Sequence, residues 1–170
     1  MPELPPNPYG ADLGDRDPVD ALAGTAERIR TLLESWPQRR FERSYAPGKW
    51  SARQILIHLA QTELALTTRV RFAVSQNSYI AQPFSQDDWI AIDGNADANV
   101  ALNAYTSLRQ LNLAMWRSLS AQQRSRQFTH PEYGTLTVWW VAAQLAGHDI
   151  HHLKKLEQID QGTSAEEVAR

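Results

Sequence analysis

The sequence predicts an all-α protein, a four-helix bundle with one long crossover between its second and third helices. Three observations support this fold class. Four stretches of the 170-residue chain repeat apolar side chains at intervals of three and four, the period of a helix with one buried face. Each of these stretches is preceded by a residue that commonly caps helices. No stretch indicates a β-strand, and the chain contains no internal repeat.

The chain is organised as one domain between two short extensions. The domain spans residues 17–162, an N-terminal arm covers residues 1–16, and a polar C-terminal tail covers residues 163–170. Four prolines and two glycines in the arm disfavour a helix. We therefore expect the arm to be extended and to lie on the surface or against a partner subunit.

Capping residues place the first two helices. The first predicted helix has Asp17 as its N-cap and proline at the first helical position, and it ends before Pro37. The second begins after Ser51, because Gln54 stands three positions later as the reciprocal partner of a capping box. Its apolar face predicts a helix that continues to about Asn77.

The connection of residues 78–96 is unusually long for a compact domain, in which loops of more than about 15 residues are uncommon. A short helical turn is predicted near residues 86–92. Phe84 and Trp89 make the segment too apolar for a solvated loop, so we expect it to form the mouth of a pocket or a dimer contact.

The last two predicted helices follow this crossover. Asp97 caps the third helix, and the fourth starts at Thr135 or Thr137 and ends at Gly162, a C-cap position. The third helix is predicted to bury a stripe of apolar residues, namely Val100, Ala104, Leu108, Leu111, Met115 and Leu119.

The fourth predicted helix carries three of the five histidines of the chain. Its inward stripe passes through Leu145 and Leu156, and His148 and His152 occupy the stripe positions between them. Residues four apart lie on one helix face with β-carbons roughly 5–6 Å apart, the spacing of a helical metal site. His148 with His151 is an alternative pair. The ordinary structural explanation is a buried histidine satisfied by a hydrogen bond.

A third histidine interrupts the apolar face of the second predicted helix. His58 stands between Ile57 and Leu59, in a dry environment that favours the neutral imidazole, the form that binds metal ions. If the second and fourth helices are neighbours, His58, His148 and His152 can converge on one ion.

Composition excludes several classes of protein. The chain has 17 lysines and arginines against 19 aspartates and glutamates, a net charge of −2, so no nucleic-acid partner is expected. With no cysteine, a metal site must use nitrogen and oxygen ligands. No apolar stretch approaches the roughly 20 residues of a membrane span, and the start of the chain lacks the features of a signal peptide. We expect a soluble cytoplasmic protein without a membrane partner.

Five short motifs follow one another along the chain. They are Gly48-Lys49-Trp50-Ser51, His58-Leu59-Ala60-Gln61-Thr62-Glu63, Arg69-Val70-Arg71, His130-Pro131-Glu132-Tyr133-Gly134 and Gly147-His148-Asp149-Ile150-His151-His152. In order and spacing they resemble the DinB superfamily and, within it, the YfiT-like metal-dependent hydrolases. The likeness covers about residues 17–160.

This resemblance implies a four-helix bundle with a divalent metal ion held by three histidines, which match His58, His148 and His152 by position. It also implies a homodimer that acts on a small-molecule substrate. Some members transfer low-molecular-weight thiols such as bacillithiol, mycothiol or glutathione, or isomerise thiol adducts. The chain departs from the family at Lys155, where relatives often carry glutamine.

Three imidazole ligands leave at least one position open on the ion, which is typical of a catalytic site. Zinc and nickel are the expected ions, since imidazole suits both. Glu63 and His130 are the candidate acid–base residues. Asp149 is a weaker candidate, because a side chain directly after His148 points elsewhere on a helix.

Three functions are compatible with this sequence. The first is a metal-dependent hydrolase that activates water. The second is a thiol-dependent transferase or isomerase, whose thiol pocket Arg69 and Arg71 would line. The third is a non-catalytic, stress-linked metal-binding module with a filled coordination shell.

Overall fold

The structure, a computed structural model, describes residues 4–168 and confirms the all-α bundle with a long crossover. Its secondary-structure elements are α1 Gly10–Leu13, α2 Pro18–Glu34, a 3₁₀-helix Gln38–Glu42, α3 Ala52–Ser75, α4 Gln86–Asp93, α5 Ala98–Ser118, α6 Ala121–Arg124, β1 Gln127–His130, β2 Gly134–Thr137 and α7 Val138–Val168.

Four long helices, α2, α3, α5 and α7, form the bundle. Both α5 and α7 pack against α2 and against α3, so α3 and α7 are neighbours, as convergence of the histidines requires. The crossover between α3 and α5 contains α4, which packs on α3. No helix in the described part of the chain is long and apolar enough to cross a bilayer.

The predicted helix starts are confirmed. The side chain of Asp17 accepts hydrogen bonds from the first turn of α2, and Asp97 does the same for α5. Ser51 and Gln54 form the predicted capping box at the start of α3. Thr137, the second of the two predicted starts of α7, accepts a hydrogen bond from the backbone amide of Trp140 at 3.1 Å. These caps fix where each long helix begins.

A polar layer divides the apolar core into two clusters. On α3 the buried members of one cluster end at Leu59 and those of the other begin at Leu66; on α5 they end at Tyr105 and resume at Trp116. The layer between the clusters consists of buried polar side chains from all four long helices, namely Thr25, His58, Gln61, Thr62, Glu63, Arg109, Asn112, His148, Asp149 and His152.

The buried face of α5 differs from the predicted stripe. Val100 and Leu111 are 61% and 62% exposed, whereas Tyr105, Arg109 and Asn112 are buried. The inward face is rotated relative to the prediction because it carries polar residues that belong to the polar layer, and a search for apolar periodicity passes over them.

The arm is not extended throughout. Residues 10–13 form the single turn α1, which packs on α7, and Leu13 is buried. The carbonyl of Tyr9 accepts hydrogen bonds from the amides of Asp12 and Leu13. The prolines precede this turn, so they do not prevent it.

Two further elements differ from the sequence prediction. A hairpin pairs β1 with β2, from Gln127 opposite Thr137 to His130 opposite Gly134. Its first strand alternates exposed and buried residues, a period-two signal of only four residues. In addition, α7 continues past Gly162 to Val168, which replaces most of the predicted tail by helix; residues 169–170 lie outside the described residues.

Candidate metal centre

The structure brings the three predicted ligand residues together. His58 of α3 and His148 and His152 of α7 form the histidine cluster, in which one ring nitrogen from each side chain lies within 4.8 Å of the others. The Nε2 atoms of His58 and His148 are 2.8 Å apart. The three side chains are almost inaccessible to solvent, with exposed fractions of 2%, 5% and 4%.

Burial keeps two of these imidazoles neutral. Desolvation, followed by the neighbouring His148, lowers the pKa of His58 to about 3. The same two causes lower the pKa of His152 well below its ordinary value. Neutral imidazole retains a lone pair for a metal ion, so these two rings have the right protonation state without the loss of a proton.

Unused hydrogen-bonding atoms provide a test of fit. The Nδ1 atoms of His58, His148 and His152 are buried and have no hydrogen-bond partner among the described residues. Buried polar atoms in proteins are nearly always paired, so these three rings have unusual spare capacity. Nitrogens bound to one zinc ion at ~2.0–2.1 Å lie roughly 3–4 Å apart, which small ring rotations would achieve here. The residues therefore fit a divalent ion.

Aromatic side chains fix the ring planes. Trp50 lies 4.8 Å from the ring centre of His58 and stacks on His152 at 6.4 Å with an interplanar angle of 13°. Tyr9, from the arm, contacts the His148 ring edge-on at 5.1 Å. These contacts exclude water from much of the cluster and restrict the rotamers of the three imidazoles.

A cavity of about 260 Å³ gives access to the cluster. His58 and His148 line it, together with residues from the arm, α3, the crossover, the hairpin and α7: Pro8, Tyr9, Thr62, Leu66, Arg69, Pro83, Phe84, Gln86, His130, Glu132, Tyr133 and Gln144. Phe84 thus confirms that the crossover forms part of the pocket mouth, and Trp89 packs behind it at 4.8 Å between ring centres.

His130 lies in this cavity, as a catalytic role would require, but it is outside the histidine cluster. Its Nδ1 accepts hydrogen bonds from the backbone amides of Glu132 and Tyr133 at 3.2 and 3.4 Å. Burial, followed by the charge of Arg69, lowers the pKa of His130. The neutral ring therefore carries its proton on Nε2 and can act as a hydrogen-bond donor.

Glu63, the other candidate acid–base residue, does not line the cavity. It is fully buried, and both carboxylate oxygens are engaged: Oε1 accepts from Arg109 at 2.6 Å and Oε2 from the amide of Asn112 at 2.7 Å. Neither oxygen has a route to a substrate in the cavity. The structure thus places Glu63 in a structural network and leaves its predicted catalytic role without support.

That network joins α3, α5 and α7 inside the polar layer. Asp149 Oδ2 accepts from Arg109 at 2.6 Å and from the hydroxyl of Tyr105 at 2.7 Å. A further bond from Arg109 to the carbonyl of Leu22 ties in α2. We refer to Glu63, Arg109, Asp149, Tyr105 and Asn112 as the buried ion network.

The buried ion network reaches the histidine cluster through Asp149. Its second oxygen, Oδ1, lies 3.5 Å from His148 Nδ1, and neither atom has another partner within residues 4–168. Burial raises the pKa of Asp149, but the charge of Arg109 and the contact with His148 outweigh it, so the net pKa is lowered. The prediction that Asp149 points away from His148 is therefore wrong for one of its two oxygens.

Two other positions singled out in the sequence lie outside the site. His151 is half-exposed, with its Nδ1 3.4 Å from a carboxylate oxygen of Asp12, so the alternative pair of His148 with His151 is not formed. The ammonium of Lys155 lies 5.4 Å from the ring centre of Tyr45 and does not line the cavity. The departure at this position therefore adds no charge to the cavity wall, although the ammonium contributes to the lowered pKa of His58 and of His152.

The DinB superfamily model matches residues 21–156, about four-fifths of the chain. This chain belongs to the DinB superfamily. Among similar members, a "putative metal-dependent hydrolase" of Oceanobacillus iheyensis is 26% identical over 142 residues, 83% of each chain. Another protein of that name, from Bacillus pumilus, is 20% identical over 143 residues, 83% of this chain and 82% of the relative.

Two solved structures of this fold are similar to the chain. YfiT from Bacillus subtilis, described as "a probable metal-dependent hydrolase with an unusual four-helix bundle topology", has a TM-score of 0.80 and 20% identity, covering 96% of this chain and 93% of YfiT. A mycothiol-dependent maleylpyruvate isomerase has a TM-score of 0.67 and 16% identity, covering 86% of this chain and 62% of the isomerase.

Proposed function

We propose that this chain is a divalent-metal-dependent hydrolase of a small molecule, with the ion held by His58, His148 and His152. The observation that carries this proposal is the convergence of three buried imidazoles beside a cavity that has room for a substrate. The relatives named as metal-dependent hydrolases support it.

The charge balance of the polar layer favours a cation at the histidine cluster. Two carboxylates, Glu63 and Asp149, share one guanidinium, that of Arg109, so the buried ion network carries one negative charge in excess. The free oxygen of Asp149 directs this charge towards His148. A histidine that binds a metal ion through one nitrogen commonly donates its other N–H to such a carboxylate, which fixes the ring and increases its basicity.

Each part of the site has a distinct role in this proposal. A divalent ion would supply Lewis acidity and would activate water or a thiol at neutral pH. Trp50 and Tyr9 hold the imidazoles in place, and His130 donates a hydrogen bond from Nε2 to a substrate oxygen in the cavity. Zinc and nickel are the proposed ions, because imidazole nitrogen suits both.

Thiol transfer or isomerisation is the second candidate function. The fold shared with a mycothiol-dependent isomerase favours it, since both reactions can use the same three ligands. For this second function, a low-molecular-weight thiol such as mycothiol, bacillithiol or glutathione would bind the ion in place of water.

Elemental analysis and substrate panels test the proposal together. The purified protein should contain about one zinc or nickel ion per chain, and the metal-loaded protein should hydrolyse a member of an ester, amide or lactone panel without any thiol. Activity only after addition of bacillithiol, mycothiol or glutathione would replace hydrolysis by the second candidate. Failure to bind either metal would overturn the metal site itself.

A further inference from the structure

Arg69 is a cation on the cavity wall that forms no ion pair with a described residue. Its guanidinium donates from Nε and Nη2 to the carbonyl of Gln82 at 3.1 and 2.6 Å, and its Cζ lies 5.7 Å from the ring centre of Phe84. Nη1 makes no hydrogen bond within the described residues, and none of their carboxylates forms an ion pair with Arg69. The crossover thus fixes the guanidinium and leaves one nitrogen unused.

A further anion would stabilise this charge, because the effect of burial on Arg69 outweighs the attraction of the neighbouring Glu132 carboxylate. Burial lowers the pKa of Arg69, but an arginine stays protonated at any physiological pH. A partly desolvated cation gains more from a counter-ion than one in bulk water does, because the local dielectric constant is lower. A bidentate or charge-assisted bond to a carboxylate is the usual way in which arginine obtains that gain.

His130 supplies a second donor in the same cavity. Since its Nδ1 is occupied by the two backbone amides of the hairpin turn, its Nε2 carries the proton and has no hydrogen-bond partner in the described part of the chain. Arg69 and His130 come from α3 and β1, and both line the cavity that His58 and His148 also line. Two fixed donors and the histidine cluster therefore share one space of about 260 Å³.

We propose that Arg69 and His130 form a carboxylate-binding subsite beside the histidine cluster, so that the molecule in the cavity carries a carboxylate group. The inference rests on the proposed function in that it takes this cavity as the substrate site. One carboxylate oxygen accepts from Arg69 Nη1 and the other from His130 Nε2, which leaves the rest of the molecule near His58 and His148.

Glu132 restricts the kind of anion. Its carboxylate also lines the cavity, and it makes no ion pair with Arg69. A second negative charge on the group held by Arg69 and His130 would lie close to Glu132 and be repelled, so the subsite should prefer a carboxylate, which carries a single charge, to a phosphate dianion of similar size. The carboxylate belongs either to the substrate or to a thiol such as glutathione, and the experiment separates these sources.

Binding of succinate to the metal-free protein, followed by NMR chemical-shift titration, tests the subsite without relying on catalysis. Succinate should bind, and its diamide and inorganic phosphate should bind at least tenfold more weakly. Arg69→Gln should weaken succinate binding at least tenfold, while Arg69→Lys should recover part of it. Arg117→Gln, an equal loss of charge at an exposed position on α5, should leave it unchanged. Equal binding by Arg69→Gln or by the diamide would overturn the subsite.

His130→Phe keeps an aromatic ring and removes the Nε2 donor. It should weaken succinate binding several-fold, and the resonances of α3 and α7 should remain in place if the fold is intact. If the fold is perturbed, Arg69→Gln and Arg69→Lys still decide the question, because the side chain of Arg69 bonds only a crossover carbonyl. Wild-type affinity for succinate in a folded His130→Phe variant would remove His130 from the subsite.

Binding of glutathione and of cysteamine, a thiol without a carboxylate, to the zinc-loaded protein shows whether the carboxylate belongs to a thiol or to the substrate. If Arg69→Gln weakens glutathione binding and leaves cysteamine unaffected, the thiol carries the carboxylate; if glutathione is unaffected while succinate is weakened, the substrate carries it. Zinc content separates a failure of the proposed metal centre from a failure of the proposed carboxylate subsite. Normal zinc content without any carboxylate binding would refute the subsite alone, and succinate binding in a protein that takes up no zinc would refute the metal centre alone.

Discussion

The histidine cluster and the buried ion network occupy the same polar layer but differ in how their polar atoms are satisfied. In the network, both oxygens of Glu63 and one of Asp149 accept short hydrogen bonds, and of its described polar side-chain atoms only Asp149 Oδ1 and Arg109 Nε lack a hydrogen-bond partner. In the cluster, three buried Nδ1 atoms make no hydrogen bond within residues 4–168, and His148 Nδ1 has only the Asp149 carboxylate oxygen 3.5 Å away. His148 belongs to one group and the next residue, Asp149, to the other.

This difference separates structure from binding. Buried charges that pair with one another across helices hold those helices together and leave few atoms able to bind a ligand. A buried cluster with unused donors and acceptors gives up hydrogen-bond energy in the free protein and recovers it when a ligand or an ion arrives. Substitutions in the network should therefore cost more stability than substitutions in the cluster.

The largest effect should follow from breaking the buried ion network. Arg109→Met leaves two buried carboxylates without a counter-ion, so we expect the free energy of unfolding to fall by about 3–5 kcal/mol in urea denaturation. Arg117→Met at an exposed position should change it by less than about 0.5 kcal/mol. Adding Glu63→Gln to Arg109→Met should recover part of the loss. A loss below ~1 kcal/mol would show that the network is not structural.

A smaller effect should come from filling the histidine cluster. Zinc at one hundred times its dissociation constant should stabilise the fold by ~2.7 kcal/mol at 25 °C, because it binds only the folded chain. A chelator should remove this stabilisation by zinc, and the bundle should remain folded. His148→Ala should abolish zinc uptake in elemental analysis, whereas His151→Ala and His130→Ala should take up zinc normally. Full zinc occupancy in His148→Ala would rule out the assignment.

Acid should destabilise the metal-free protein through His58 of the histidine cluster. His58 has a folded pKa of about 3 and an unfolded value of about 6.5, so between these values the unfolded chain binds the extra proton. Stability should therefore be lost as pH falls from about 6.5 towards 3, by about 1.4 kcal/mol per pH unit for this side chain. His58→Gln should have a correspondingly shallower pH profile. Identical profiles for the two proteins would contradict a buried neutral His58.

The smallest effect should be that of an apolar replacement within the cluster. His152→Leu removes an unsatisfied buried nitrogen, so the metal-free protein should change in unfolding free energy by less than about 1 kcal/mol. In zinc the variant should lack the stabilisation seen for the wild type. If His152→Leu destabilised the metal-free protein as strongly as Arg109→Met, the cluster would be structural like the network.

The sequence predicted the long helices and the three clustered histidines because each produces a local pattern. Apolar spacing located the helices, and His148 and His152 appeared as polar interruptions four residues apart. His58 was detected in the same way, from its apolar neighbours. Convergence across helices then required only that α3 and α7 be adjacent.

The buried ion network was missed because its members appear as ordinary surface residues in a single sequence. Arg109 follows Tyr105 by four positions and precedes Asn112 by three and Trp116 by seven, the spacing of one helix face. That polar face was a usable signal, but apolar periodicity assigned the inward side to Val100 and Leu111. The contribution of the arm to the cavity had no local signal, since it depends on contacts between distant parts of the chain.

Those distant contacts bear on the order in which the protein assembles. The indole of Trp140 donates to the carbonyl of Pro5, 135 positions earlier, and Lys154 pairs with Asp12 across 142 positions. Between these two anchors the backbone of Tyr9 crosses Gly147, where any side chain would collide with its carbonyl oxygen.

Closing so long a loop is slow compared with forming helices or packing neighbouring ones. On the ribosome, the arm emerges before α7 and must wait until α7 has been synthesised before it can dock. We therefore expect a folding intermediate with a formed bundle and an undocked arm, in which His148 is still exposed to solvent on the side that Tyr9 later covers. The wall of the cavity would then be the last part of the site to acquire its native structure.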